Sequence, residues 1–402
     1  MKKVVLAFIL PFLLFACARH RQDSVNRMET ANLFDYKIED DFWTPYYYIH
    51  KDVTLPLCVR WTENHFDSTA VSKAVEGMAY SLLFENAPEL KVMRSNWSTR
   101  LSNGEVSAQH YPDTSEVNSL VSLYFSEAKE LMTSGDGSHA DNIESVFFNK
   151  LLAGLSLKGD SYFTDLPAFS AVGMRRLTFE ETPSTALDLF RAIPSLGNFA
   201  YGTSKDALWV NFFVGGEMKV NMAGQEMTVS QTTSYPYDGY VALQLGLQKP
   251  LKAEIRIRIP SWCGDFTFSV NGTAVNVPVE SGYAVLRRKW CDGDNVELVL
   301  DMPVTLMSSC VFGVEEGKRA VCRGPLVYCA EEVDNPSGID SSRLSKDTVF
   351  SLDVLPKADW WGHELMRITA KTPDSESLTF IPYFAWGNRT PGKMRVYIPL
   401  SS

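Results

Sequence analysis

Clustered positive charge, metal-spaced cysteines and membrane-length apolar runs are all scarce in this chain. Each scarcity removes a class of function. Lys and Arg number 38 against 48 Asp and Glu, for a formal net charge of −10. Nucleic-acid binding needs concentrated Lys and Arg to neutralise phosphates, so the balance argues against a nucleic-acid partner. The 7 cysteines contain no CxxC pair and no Cys/His cluster at metal spacing, and the 6 histidines form no HExxH. No zinc finger or metalloprotease helix can be read from them. The N-terminal apolar run, Val4 to Phe15, is too short to cross a bilayer as a stable helix. Internal repeats and low-complexity tracts are also missing, which excludes a solenoid.

At 402 residues and 45% hydrophobic content, the chain has material for about two or three domains with real cores. Its first residues read as an export signal: Lys2 and Lys3, the apolar run, then Ala16-Cys17. The stretch LFAC resembles a bacterial lipobox. That resemblance implies a signal peptide over 1–16, cleavage before Cys17 and lipidation of its thiol. Residues 17–35, charged and poor in apolar groups, would then form a lipid-anchored tether. The expected location is the bacterial cell envelope, at the outer membrane or its periplasmic face, with the membrane as a partner through the lipid alone.

Hydrophobic spacing divides the remainder. Residues 67–84 place Val71, Val75, Met78 and Leu82 on one helical face, and residues 115–132 do so more strongly. A third helix is expected from Ser138 to Leu152, with Asp141 completing a capping box, and DLFRAI continues as helix after Pro183. From about Ala207 the period becomes two. AEIRIRIP sets Ile255, Ile257 and Ile259 on one face and Arg256 and Arg258 on the other. Asn271-Gly272 reads as the type I′ turn of a hairpin. Many short strands separated by turns indicate antiparallel sandwiches.

The β-rich half carries four phrases in fixed order: RIPSWC, GYAVLRRKWCDGDNVELVLDMPV, RGPLVYCAEEVDNP and IPYFAWGNRTPGKMRVYIP. Together they resemble glycoside hydrolase family 127, the β-L-arabinofuranosidase group. DFWTPYYYIHKDVTLP and NKLLAGLSLKGDSYF are similar to that family's entry segment and to the segment before its active-site cysteines. The resemblance implies an (α/α)6 barrel of six helical hairpins followed by β-sandwich domains. Only about four helices can be placed between Asp41 and Tyr201. The expected architecture is therefore α+β: an incomplete six-hairpin helical layer over 36–203, then a β-sandwich region over 204–402.

By the same resemblance the chemistry would be that of a retaining glycosidase. In it, a Zn²⁺ held by one glutamate and three cysteines keeps the nucleophilic thiolate deprotonated, and a second glutamate serves as acid/base. Along NGEVSAQHYPDTSEVNSL, Glu105 falls on the acid/base and Glu116 on the zinc-binding glutamate, while Asn118 stands where a ligand cysteine belongs. Along FEETPST, Glu181 takes the place of the nucleophilic cysteine and Thr182 that of its neighbouring ligand. With all three thiolates replaced, no zinc or other cofactor is expected. Read without the family, Glu116 is the N3 residue of a capping box opened by Asp113. Glu180 and Glu181 favour a helix N-terminus, and Glu105 is a solvated loop carboxylate.

Two readings stay open. One is a degenerate, lipid-anchored relative that binds plant-type or arabinose-containing glycans with little or no turnover. The other is an active β-L-arabinofuranosidase-type enzyme, with Glu105 as acid/base and Glu181 as a carboxylate nucleophile.

Overall fold

The structure is a computed structural model and describes residues 27–30, 34–84, 86–106, 114–371 and 377–401. Cys17 and Asp113 lie outside the described residues. Among those described, no helix is long and apolar enough to cross a membrane.

Among the described residues, six helices form the first layer. Helix α1 runs through Trp43–Ile49, a π-helical turn His50–Thr54 and Leu55–Asn64. Helix α2 is Ser68–Ser81, α3 is Pro88–Ser102 and α4 is Glu116–Ser134. Helix α5 passes from Gly137–Val146 through a π-turn at Phe147–Leu151 to Leu152–Gly154, and α6 is Pro183–Ala200. The start signals differ from those expected in two places. Ser115 caps α4 by accepting from the Asn118 amide, so Glu116 is the first helical residue and not the third of a capping box. Asp136, rather than Ser138, caps α5. Both side chains relieve backbone donors that a helix start leaves unpaired.

Apart from the short strands Glu29–Thr30, Phe34–Ile38 and Phe169–Ser170, the strands begin at Tyr201, directly after α6. The α+β multidomain architecture, a helical layer followed by antiparallel β-sandwich, is the one present. A six-stranded sheet is centred on Leu251–Arg258 and Tyr283–Trp290, and a seven-stranded one on Gln225–Thr233 and Tyr240–Leu247. A nine-stranded sheet is built largely from residues after Met302. Among the described strands one pair departs from the antiparallel rule, Ala207–Val210 lying parallel to Leu251–Arg258. The Asn271-Gly272 turn has both φ angles positive, 52° and 74°, as a type I′ turn requires.

The joint between helices and sheets is polar and buried. Arg256 and Arg258, on the face of their strand opposite the isoleucines, are both buried, Arg258 completely. Arg258 donates through Nε to the Asn211 carbonyl at 2.7 Å, pairs with Asp141 at 2.8 Å and pairs with Glu144. The Glu144 carboxylate also accepts from Tyr235 Oη at 2.5 Å and from Trp262 Nε1 at 3.1 Å. Helix α5 thus presents two carboxylates to a strand that would otherwise bury a lone cation. A second joint holds the nine-stranded sheet: Asn149 donates to the Pro325 carbonyl at 2.8 Å and accepts from the Val327 amide at 2.7 Å.

Packing within the helical layer is closest where α2 crosses α6. A methyl group built on Gly77 would overlap the Phe190 ring. Gly77→Ala is therefore expected to cost about 1–3 kcal/mol by overpacking, outweighing any gain in helix propensity. Urea unfolding checks this as a lowered midpoint at unchanged slope.

Candidate functional site

The starts of α4 and α6 face a common open depression of about 380 Å³. Pro183 at the first position of α6 offers no amide, and Thr182 before it makes no side-chain cap bond. Asn118, Thr164, Asp165, Glu181, Thr182 and Thr185 are among the residues lining the depression, giving it hydroxyls, an amide and two carboxylates. Beneath it Asn118 is a buried hub. Its Nδ2 donates to Asp188 Oδ2 at 2.5 Å, and its Oδ1 accepts from Ser115 Oγ at 2.5 Å and from Thr185 Oγ1 at 3.3 Å. Asp188, also buried, pairs with Lys73 at 3.1 Å and with Arg191 at 2.9 Å. Arg191 reaches on to Glu76 at 3.0 Å. Two cations and two anions therefore balance, and their hydrogen bonds fix the floor of the site.

The candidate glutamates have separate surroundings. Arg175 grips Glu181 with two hydrogen bonds, at 2.6 and 3.0 Å, and the Thr178 amide and hydroxyl add two more at 2.9 and 3.1 Å. The Arg175 bonds, more than the Thr178 ones, hold the Glu181 carboxyl down at about 2. Its neighbour Glu180 accepts from Trp61 Nε1 at 3.0 Å. Glu116 pairs with Lys150 at 2.9 Å and accepts from the Leu166 amide at 2.8 Å, so it braces α4 against the segment after α5. Glu105 is exposed beyond the end of α3, with Asn103 at 3.0 Å and Arg100 at 3.9 Å. The fold brings Asn118, Glu181 and Thr182 into one depression, whose lining includes neither Glu116 nor Glu105.

Similarity to known proteins enters through the β-rich half. Residues 207–302 match the β-L-arabinofuranosidase GH127 middle domain, and residues 311–399 match the glycoside hydrolase family 127 C-terminal domain. The chain is a glycoside hydrolase family 127 relative. A curated protein, the non-reducing end β-L-arabinofuranosidase of Bifidobacterium longum subsp. longum, is 29% identical over 300 residues. That alignment covers 65% of this chain and 45% of the Bifidobacterium protein, so the chain spans less than half the length of that relative. A solved family 127 β-arabinofuranosidase superposes with a TM-score of 0.65 at 26% identity, over 71% of this chain and 49% of its own. The Geobacillus stearothermophilus T6 family 127 β-L-arabinofuranosidase aligns over 83% of this chain and 60% of its own, with a TM-score of 0.65. At 24% identity that likeness speaks for the fold alone.

The family 127 resemblance assigns a zinc site to the positions of Glu116, Asn118, Glu181 and Thr182, and the donors there do not suit that ion. Both carboxylates are already engaged by cations, Lys150 and Arg175, and the remaining donors are an amide in a saturated network and a hydroxyl. A soft-metal site calls for thiolate or imidazole. Among the described residues no group of three or more His, Cys, Asp or Glu side chains gathers as ligands.

Sequence reading passed over Arg175, Asp188 and Lys73. Asp188 had left a signal, a lone carboxylate within the apolar run of α6, which is out of place unless partnered. Arg175 had left none, because its partner Glu181 lies across an irregular loop.

Two histidines bear on pH. His50 lines an apolar cleft of about 370 Å³ beside α1. Ser81 Oγ donates to the Gly77 carbonyl, which assigns the 2.8 Å contact between His50 and Ser81 to a donating Nε2–H. Burial pushes the His50 and His363 pKa values down to about 4. An unfolded histidine takes its proton near 6.5, so between about pH 6.5 and 4 the unfolded chain binds more protons and stability falls with pH. The expected result is a Tm that drops as pH is lowered from 7 to 4.5, with a shallower slope for His50→Gln. Calorimetry across that range checks it.

Proposed function

We propose that the chain is a catalytically silent, carbohydrate-binding relative of the family 127 glycosidases, held at a bacterial envelope by lipid on Cys17. The observation that carries this reading is the Arg175 clamp. At the position the family resemblance gives to its nucleophile, the carboxylate of Glu181 spends its lone pairs on a guanidinium, an amide and a hydroxyl. A nucleophile must offer a free electron pair to the anomeric carbon. A carboxylate so deeply stabilised as its anion is a weak one.

Support also comes from the other candidates. A two-carboxylate retaining mechanism needs its carboxyl groups about 5–5.5 Å apart around a sugar. Glu105 and Glu181 instead have unrelated partners, and only Glu181 faces the depression. The Thr164 and Thr182 hydroxyls and the Asp165 carboxylate that line the depression are suited to exchanging hydrogen bonds with sugar hydroxyls. The sugar class follows from the β-L-arabinofuranosidase relatives: an arabinose-containing glycan.

The reading is tested with p-nitrophenyl β-L-arabinofuranoside and a glycan array. Expected are no nitrophenol release above the uncatalysed rate, binding to arabinose-containing glycans, and no stoichiometric zinc in the purified protein. Enzyme-like turnover that Glu105→Gln or Glu181→Gln abolishes would replace this reading with the active, two-carboxylate one.

A further inference from the structure

Of the 9 tryptophans in the chain, seven are buried. Only Trp361, on an exposed turn with Lys158 Nζ 4.8 Å from its ring centre, and Trp262 retain a share of solvent. Trp262 lines a cleft of about 460 Å³ at the meeting point of α5, the loop at 261–265, the segment 301–311 with its strands Val304–Met307 and Ser309–Cys310, and the strand pair over 322–327. We propose that this cleft, and not the depression at α6, holds the principal glycan-binding site, with Trp262 as the stacking platform and Asp265 and Asp301 as acceptors for sugar hydroxyls. The inference rests on the carbohydrate reading above but places it elsewhere.

The cleft has the size and the chemistry. Its volume falls within the range of small-ligand pockets. The indole is fixed before any ligand arrives: Nε1–H donates to the buried Glu144 carboxylate at 3.1 Å, and the ring stacks on Tyr235 at 6.5 Å and 26°. A platform locked in this way loses little entropy on binding. Sugar C–H faces pack on aromatic rings while the hydroxyls seek acceptors beside them. Asp265 and Asp301 sit side by side, the Asp301 amide donating to the Asp265 carbonyl at 2.9 Å. Both side chains are exposed, and neither figures in an ion pair among the described residues. Thr305 and Ser309 add hydroxyls to the rim, and no Lys or Arg lines the cleft. Carboxylates without a cation repel an acidic sugar and accept hydrogen bonds from a neutral one.

The test titrates the whole protein with a neutral arabino-oligosaccharide and with a uronate-containing oligosaccharide of equal length, by calorimetry and tryptophan fluorescence. The neutral ligand should bind at least tenfold more tightly. Trp262→Ala should abolish binding, and the double variant Asp265→Asn, Asp301→Asn, exposed and clear of the Glu144 joint, should weaken it at least tenfold with an unchanged Tm. Neutral-sugar binding that survives both variants but is lost in Thr182→Val would overturn this site and leave the carbohydrate reading standing. Absence of binding to any glycan would overturn both. Saturable Ca²⁺ binding removed by the double variant, with no sugar bound, would make the cleft a cation site and also overturn it.

Discussion

The burial of Arg258 is the constraint around which the rest of the molecule is arranged. A guanidinium removed entirely from water is tolerated only when its charge and donors are matched, since an unpaired buried ion costs several kcal/mol. Here the match comes from another layer: Asp141 and Glu144 on α5, with the Asn211 carbonyl closing the third side. Tyr235 and Trp262 then hang on the same Glu144 carboxylate. One residue on a strand thereby fixes how a helix, a strand and two aromatic side chains meet. The joint is electrostatic, but its effect is geometric.

The α4–α6 depression has the opposite character. Sulfur ligands would require a metal to hold their charge, whereas the groups present satisfy one another. Asn118 saturates its amide, Asp188 has two cations, and Glu181 has Arg175. Such a floor is stable without any ligand, and a self-satisfied site has little left to offer a transition state. In the function proposed above, recognition and catalysis part company here, with glycan binding assigned to a place the family resemblance would not single out.

How much was legible depended on whether the signal was local. The α2, α4 and α6 periodicities and the Asn271-Gly272 turn were readable because apolar spacing and turn chemistry act within a few residues. Helix α1 was obscured by Pro45 and Pro56, which sit at helical turns where a proline is accepted, and α3 by burying only Trp97 along its length. The burial of the arginine face of AEIRIRIP was not legible, for a different reason. Alternation reports which side chains share a face, but it cannot say that a second layer with two carboxylates will cover that face. Glu116 illustrates the same limit, its partner Lys150 lying 34 residues away.

The strand Phe34–Ile38, ahead of every helix, pairs with Gly216–Met222, beyond the last of them. The helical layer is thus bracketed by a ladder whose two sides are separated by most of the first half of the polypeptide. During synthesis that ladder cannot close until the ribosome has passed Met222, so the helical layer is made before its own boundary can form. Cutting the chain after Ala200 would not free a helical module; it would leave the opening strand without its mate.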